Sequence, residues 1–274
     1  MFLSYLRNYI LPSRTGRGMG VGLLLLLVSC SHIDEDERLI YVKPAEVARR
    51  VLIEDFTGQR CINCPTATLT IADLKEAYGE DNVVAVAFHS GPFGSTARGV
   101  RYPMTTDIGE EYFAHWGLSS QPVGIVNRQG PSDYSDWGTL VHEAMNKPAR
   151  LGISLSTQYD EGTNTIGIDV ETLGADGTID GKLQLWLTED GITAFQYMPD
   201  GTTNQEYQHN HVFRDAVNGA WGTDFHLEEG ESKQESFSYV IPEDKTWVPA
   251  NMHVVAFVYT DQGVEQVVAE PVVQ

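Results

Sequence analysis

Residues 51–65 read VLIEDFTGQRCINCP, and this stretch decides the fold. Its first half, Arg50–Phe56, is rich in β-branched and apolar residues and reads as a strand. Its second half holds Cys61 and Cys64 and runs into Pro65–Tyr78. There Ile71, Leu74 and Tyr78 recur at three- and four-residue spacing, which predicts a helix with one apolar face. A cysteine pair three positions apart at a strand-to-helix junction is the geometry of thiol–disulfide exchange. A helix starting at the first cysteine brings the sulfurs together, and its free N–H groups and dipole stabilise a thiolate at Cys61. Pro65 is tolerated because first-turn N–H groups need no intrahelical partner.

Working outward, strand-like and helix-like segments alternate from residue 48 to 148. Asn82–Phe88 carries VVAVAF and reads as a buried parallel strand. Thr105–Trp116 reads as a helix and Val123–Asn127 as a short strand. Trp137–Met145 places Trp137, Leu140, Val141, Ala144 and Met145 on one helical stripe. Such alternation predicts βαβ units with helices over a sheet. After Ala149 the pattern changes to short alternating runs, LGISLST, TIGIDVET, GKLQLWLT, ESFSYVI, MHVVAFVYT and EQVVAEPVV, which predict an antiparallel β-sandwich. Turns are expected at Asp176-Gly177, Asp180-Gly181, Asp190-Gly191 and Asp261-Gln262-Gly263. Asn204–Gly219 is expected to be a loop with a helical turn.

The N-terminus predicts a destination. Arg7, Arg14 and Arg17, with no acid, precede the apolar run Gly20–Val28, which is too short to span a bilayer as a helix. The run ends in Leu27-Val28-Ser29-Cys30 and resembles a bacterial lipobox. Residues 1–29 are thus expected to be a lipoprotein signal peptide, with Cys30 lipidated and residues 30–47 forming an acidic tether and lead-in. The expected mature chain, Cys30–Gln274, has 245 residues, with 15 basic against 38 acidic side chains, a net charge of −23. That charge makes nucleic acid a poor partner. The membrane, reached through lipid on Cys30, is the expected anchor. The run Asp34-Glu35-Asp36-Glu37 resembles acidic export signals of Bacteroidetes surface lipoproteins and leaves open whether the protein faces periplasm or medium.

The segment VLIEDFTGQRCINCP resembles the first strand and active-site turn of the thioredoxin superfamily. The resemblance implies Cys61 as exposed nucleophile, Cys64 as buried resolving thiol, and Asp55, six residues before Cys61, as the buried proton-handling carboxylate. It also implies a cis peptide bond before Pro122, which directly precedes the strand VGIVN, with Pro122 facing the cysteines and positioning substrate. The stretch Gly91–Pro103 reads as an insertion beside the site. Arg60 replaces the usual tryptophan before the first cysteine, and Ile62 and Asn63 replace Gly and Pro; Arg60 is expected to lower the Cys61 pKa.

The lipoprotein signal, DFTGQRCINCP, QPVGIVNR and HNHVFR together resemble the 28-kDa outer-membrane protein family of Bacteroidetes. The resemblance covers most of the mature chain. It implies an α/β thioredoxin-like domain, 48–148, followed by an all-β immunoglobulin-like sandwich domain, 149–274. No part of the chain reads as a transmembrane β-barrel, which needs at least eight lipid-facing strands. Three functions follow: a lipid-anchored protein disulfide oxidoreductase with protein thiol or disulfide partners, a non-catalytic surface or periplasmic binding lipoprotein that uses the thioredoxin-like domain as scaffold and the sandwich as binding face, and a metal chaperone. The cysteine pair itself also reads as a permanent disulfide that staples the turn. No cofactor and no resident metal are expected; zinc needs four ligands and a second cysteine pair is missing. His89 ends the second strand and is expected at the sheet edge near the cysteines. His209-Asn210-His211 is expected to pack its loop against one of the two domains.

Overall fold

The computed structural model describes residues 47–94, 96–97, 100–101 and 103–274. The expected signal peptide, the lipid site Cys30 and the acidic run lie outside these residues. In chain order the elements are β1 (Val51–Thr57), α1 (Cys64–Tyr78), β2 (Val83–His89), α2 (Gly91–Gly94), β3 (Thr96–Ala97), β4 (Val100–Arg101), α3 (Asp107–His115), β5 (Val123–Val126), β6 (Pro131–Ser132) and α4 (Trp137–Met145). Then follow β7 (Leu151–Asp160), β8 (Thr165–Gly174), β9 (Ile179–Glu189), β10 (Ile192–Tyr197), β11 (Thr203–His209), β12 (Val212–Ala216), β13 (Thr223–Leu227), β14 (Ser232–Val240), β15 (Met252–Thr260) and β16 (Gly263–Pro271). The chain is mostly β-sheet with few helices, and its second half packs as a sandwich.

β1 and β2 are buried along their whole length because both faces are covered. They pair in parallel, Val51 to Val83 through Thr57 to His89, and α1 makes the crossover. β5 adds to β1 antiparallel, with Phe56 opposite Val123, and β6 adds to β5. Val51, Ile53, Val83 and Ala85 face α1 and α4 through Ala67, Ile71, Leu74, Trp137 and Val141. Gly124 is required here: a Cβ would lie 2.3 Å from the Trp137 ring. α3 begins at an N-cap, Thr106, whose side chain accepts from the Gly109 N–H at 2.9 Å.

The two halves share one sheet. Its order is β16-β15-β9-β12-β2-β1-β5-β6, with β13 also on β9. The join is β12, antiparallel to β9 and parallel to β2 through Val212 opposite Ala87. Because side chains alternate along a strand, β9 sends Leu183, Leu185 and Leu187 to one face and Trp186 to the other. The leucines pack with Ile166, Ile168 and Val170 of the separate sheet β14-β8-β7 and make the sandwich core. Trp186 joins Phe56, Phe88, Tyr112, Phe213 and Phe257 in a core that crosses the join.

A buried ion pair sits in that junction. Glu54 Oε1 accepts from Arg128 Nε at 3.1 Å, and both side chains are nearly inaccessible. The guanidinium carbon lies 4.2 Å from the ring centre of Tyr259, 5.0 Å from Phe257 and 5.2 Å from Trp186, with Tyr112 and Trp221 each at 5.7 Å. Burial opposes the Arg128 charge, but Glu54, with Tyr112 and Tyr259, holds its pKa above the usual value.

Two expectations fail. Asn204–Gly219 is not a loop with a helical turn: it contains β11 and β12, separated only by Asn210 and His211. Asp180-Gly181 is not a turn but lies inside β9. Gly181 is there because the Tyr259 carbonyl oxygen of β15 comes within 2.3 Å of where a Cβ would stand.

Candidate functional site

The cysteine turn is built by close backbone approach. After β1, the Cys61 N–H donates to the Gly58 carbonyl at 3.0 Å. The Phe93 backbone presses on Gly58, 2.4 Å from a would-be Cβ, and its carbonyl accepts from Arg60 N–H at 3.1 Å. The start of the expected insertion, Gly91–Gly94, therefore lies beside the site. The Arg60 guanidinium donates to the Pro92 carbonyl. Cys61 and Cys64 are joined in a disulfide, with Cα atoms 5.4 Å apart.

The structure corrects the placement of Cys61. Helix α1 begins at Cys64, with Asn63 as a cap that makes no side-chain bond, so Cys61 lies three residues before the helix. Pro65 sets this start, since its fixed φ favours the first helical turn. Nor is Cys61 the exposed sulfur: both cysteines are 2 % exposed.

The cover comes from the second half of the chain. The hairpin β10–β11 folds over the cysteine turn. Gln196 Nε2 donates to the Cys61 carbonyl at 2.8 Å and to the Gly58 carbonyl at 3.3 Å. The Tyr197 N–H donates to the Gln59 carbonyl at 2.9 Å, and Gln59 Nε2 donates back to the Phe195 carbonyl at 3.0 Å. Sequence reading missed this element. Its signal is Pro199-Asp200-Gly201, a turn tripeptide between the β-prone run ITAFQY and a strand whose outward face is polar.

Beneath the hairpin is a cavity of about 200 Å³, lined by Asp55, Cys64, Thr68, His89, Tyr207 and His209 among others. Asp55 is 2 % exposed, and its Oδ1 finds no hydrogen-bond partner among the described residues. Burial pushes its carboxyl up to about 7. His89, 3 % exposed, and His209, 5 % exposed, stack edge to face with ring centres 5.1 Å apart. His89 Nδ1 and His209 Nε2 likewise lack partners among the described residues. Burial lowers His209 to about 4 and, with the charges of His209 and Arg214, holds His89 well below its usual value. Burial raises Tyr207, opposed by its bond to Thr68. Among the described residues, no group of three His, Cys, Asp or Glu side chains is placed to hold a metal ion.

The structure thus brings together Cys61, Cys64, Asp55 and His89, as the sequence reading expected, and adds Tyr207 and His209 from the hairpin. His209 does pack against the cysteine half. His211 follows, its carbonyl accepting from Ala87 N–H at 2.8 Å. The Gln121–Pro122 bond is cis, as expected. Pro122 precedes β5, whose first residue pairs with Phe56, so it stands at the cysteine end of the sheet. Gln121 ties that end together by donating to the Thr57 carbonyl at 2.6 Å and to the Ser90 carbonyl.

The model of the family described as outer membrane protein Omp28 matches residues 109–274. HBP35 of Porphyromonas gingivalis is similar in fold, with a TM-score of 0.61 at 14 % identity over 82 % of this chain and 76 % of that one. A domain of the outer membrane lipoprotein Omp28 from Porphyromonas gingivalis shares 28 % identity, covering 46 % of this chain and 89 % of that one, with a TM-score of 0.34. No protein of curated function matches. Among the described residues no helix is long and apolar enough to cross a membrane.

Proposed function

The chain belongs to the Omp28 outer membrane protein family, and from that premise we propose an outer membrane lipoprotein whose Cys61–Cys64 pair exchanges thiols and disulfides. On this reading residues 48–148 are a thioredoxin-like unit and 149–274 an immunoglobulin-like sandwich. The parallel β1-α1-β2 unit, the antiparallel β5-β6 pair, the cis bond before Pro122 and the fold similarity to HBP35 support that architecture. Lipid on Cys30 is the anchor. Cys30→Ser should release the protein from the membrane fraction or leave it unprocessed; fractionation and migration like wild type would remove the anchor from this reading.

One observation carries the exchange reading: Asp55, a buried carboxyl without an Oδ1 partner among the described residues, in the cavity that Cys64 lines. A stapling disulfide needs no proton carrier, and an unpaired buried acid is costly. An exchanging pair does need one. Each time a mixed disulfide is resolved, one cysteine is deprotonated to attack and another sulfur leaves as thiolate. A carboxyl titrating near neutrality takes and returns that proton.

A second reading, a non-catalytic binding lipoprotein with a structural disulfide, is favoured by the burial of both sulfurs to 2 %. The Cys61–Cys64 reduction potential separates the two. A value above about −300 mV, with release of thiols under mild reductant, supports exchange; a lower value supports a staple.

A further inference from the structure

We propose that the cavity beneath the β10–β11 hairpin is the entry for a low-molecular-weight thiol or its disulfide, and that Cys64, not Cys61, is the sulfur it meets. The inference rests on the exchange reading above and names the substrate class of that site.

Three observations lead to it. First, the hairpin occupies main-chain carbonyls of the cysteine turn with which an extended peptide could otherwise pair. The carbonyls of Gly58, Gln59 and Cys61 already accept from Gln196 and Tyr197. Extended-peptide recognition works through such free main-chain groups. Second, of the two cysteines it is Cys64 that lines the cavity, while Cys61 sits on the covered turn. Third, the cavity is about 200 Å³, below the roughly 300–1,000 Å³ of sites for drug-sized ligands. Its mouth includes Lys75 and Glu80, ion-paired at 3.5 Å, and the exposed Gln208 and Asn210. Its interior offers Asp55 Oδ1, His89 Nδ1 and His209 Nε2, none with a partner among the described residues.

The chemistry balances with the small thiol as the only reductant. Its thiolate attacks Cys64 Sγ; the Cys61–Cys64 bond breaks and Cys61 leaves with the electron pair. A second small thiolate then attacks the small molecule's sulfur in the mixed disulfide, and Cys64 leaves. Two small thiols are oxidised to one small disulfide, the protein disulfide is reduced to two thiols, and the two protons pass from the small thiols to the cysteines, the one bound for Cys64 by way of Asp55. The reverse sequence oxidises the protein with a small disulfide.

The test uses the full mature chain with Cys30→Ser, in the further variants Cys61→Ser and Cys64→Ser, so that each keeps a single cysteine. The probes are 2-hydroxyethyl disulfide and the larger glutathione disulfide. Each capture rate is divided by that of the same variant unfolded in urea, which removes intrinsic reactivity. Cys64 in Cys61→Ser should favour the small probe over the large one by at least about tenfold, and should outpace Cys61 in Cys64→Ser. Ala72→Phe, at an exposed helical position on the cavity wall, should slow capture of the small probe without lowering Tm. Should a serine variant fail to fold, mass mapping of the first alkylated cysteine in reduced wild type gives the same order. Faster reaction at Cys61, or no size preference, overturns the proposal while leaving exchange intact. If neither thiol reacts in the native chain while both react in urea, the exchange reading falls with it.

Discussion

Glu54 and Asp55 are neighbours on β1, both buried, and the sheet sends them to opposite faces with opposite fates. Glu54 enters the junction core and meets Arg128 at 3.1 Å, inside a shell of five aromatic rings. Asp55 enters the cavity beside Cys64, where burial holds its proton to about pH 7. The contrast shows how one strand serves two ends. A buried charge that fastens the halves is given its counter-charge, since a lone one is expensive. A buried acid left without a counter-charge among the described residues, in the cavity that Cys64 lines, has the properties of a proton carrier.

The sharpest way to break this contrast is Arg128→Met. It strands Glu54 among aromatic rings and should cost about 3–5 kcal/mol in urea unfolding. A loss below about 1 kcal/mol would mean the pair is not what fastens the junction.

Asp55→Asn should do the opposite, in a pH-dependent way. The folded carboxyl titrates near 7 and the unfolded one near 3.8, so the folded state holds the proton more tightly. Wild-type stability from this group is therefore undiminished below about pH 4 and falls as pH rises towards 7. The cost above pH 7 is of order 4 kcal/mol. Asp55→Asn should remove that slope, and Tm measured from pH 4 to 8 would show the variant gaining on wild type as pH rises. A constant difference would place Asp55 in a polar, solvated setting instead.

His209→Gln sharpens the same comparison from within the cavity. The folded imidazole titrates near 4 against 6.5 unfolded, so the folded state resists the proton. Its contribution is intact above about pH 6.5 and is lost as pH falls towards 4, up to about 3 kcal/mol. The variant should gain on wild type on acidification, the reverse of Asp55→Asn. Parallel pH profiles for the two variants would refute the opposed-sign account. The smallest effect belongs to the cover: Gln196→Ala removes bonds to Gly58 and Cys61 and should cost about 1–3 kcal/mol. It should also speed reduction of the disulfide by a small thiol, and an unchanged rate would separate the hairpin from access.

Much of the first half was legible because its patterns are strong and local. The apolar runs of β1 and β2 and the stripes of α1 and α4 require nothing remote to be read. Asp55, Cys64 and His89 sit on those elements and Cys61 on the turn between β1 and α1, so most of the site followed. The hairpin did not, because β11 is polar along most of its length and, among the described residues, pairs only with β10. Tyr207 and His209 line the cavity, a place no local pattern in β11 announces. Gly181 misled for a related reason: a glycine demanded by a neighbouring carbonyl looks, in sequence, like one demanded by a turn. Glu54 and Arg128 lie 74 residues apart, and no spacing rule links them.

The shared sheet has a consequence for how the molecule can be cut. Asn146, Lys147 and Pro148 are exposed between α4 and β7 and offer a protease the natural point at which to divide the chain. The scissors would find no seam there. β12 lies between β9 and β2, the hairpin grips the cysteine turn, and the aromatic shell closes on Arg128, so a single nick at Lys147 should yield two fragments that elute as one and separate only in denaturant.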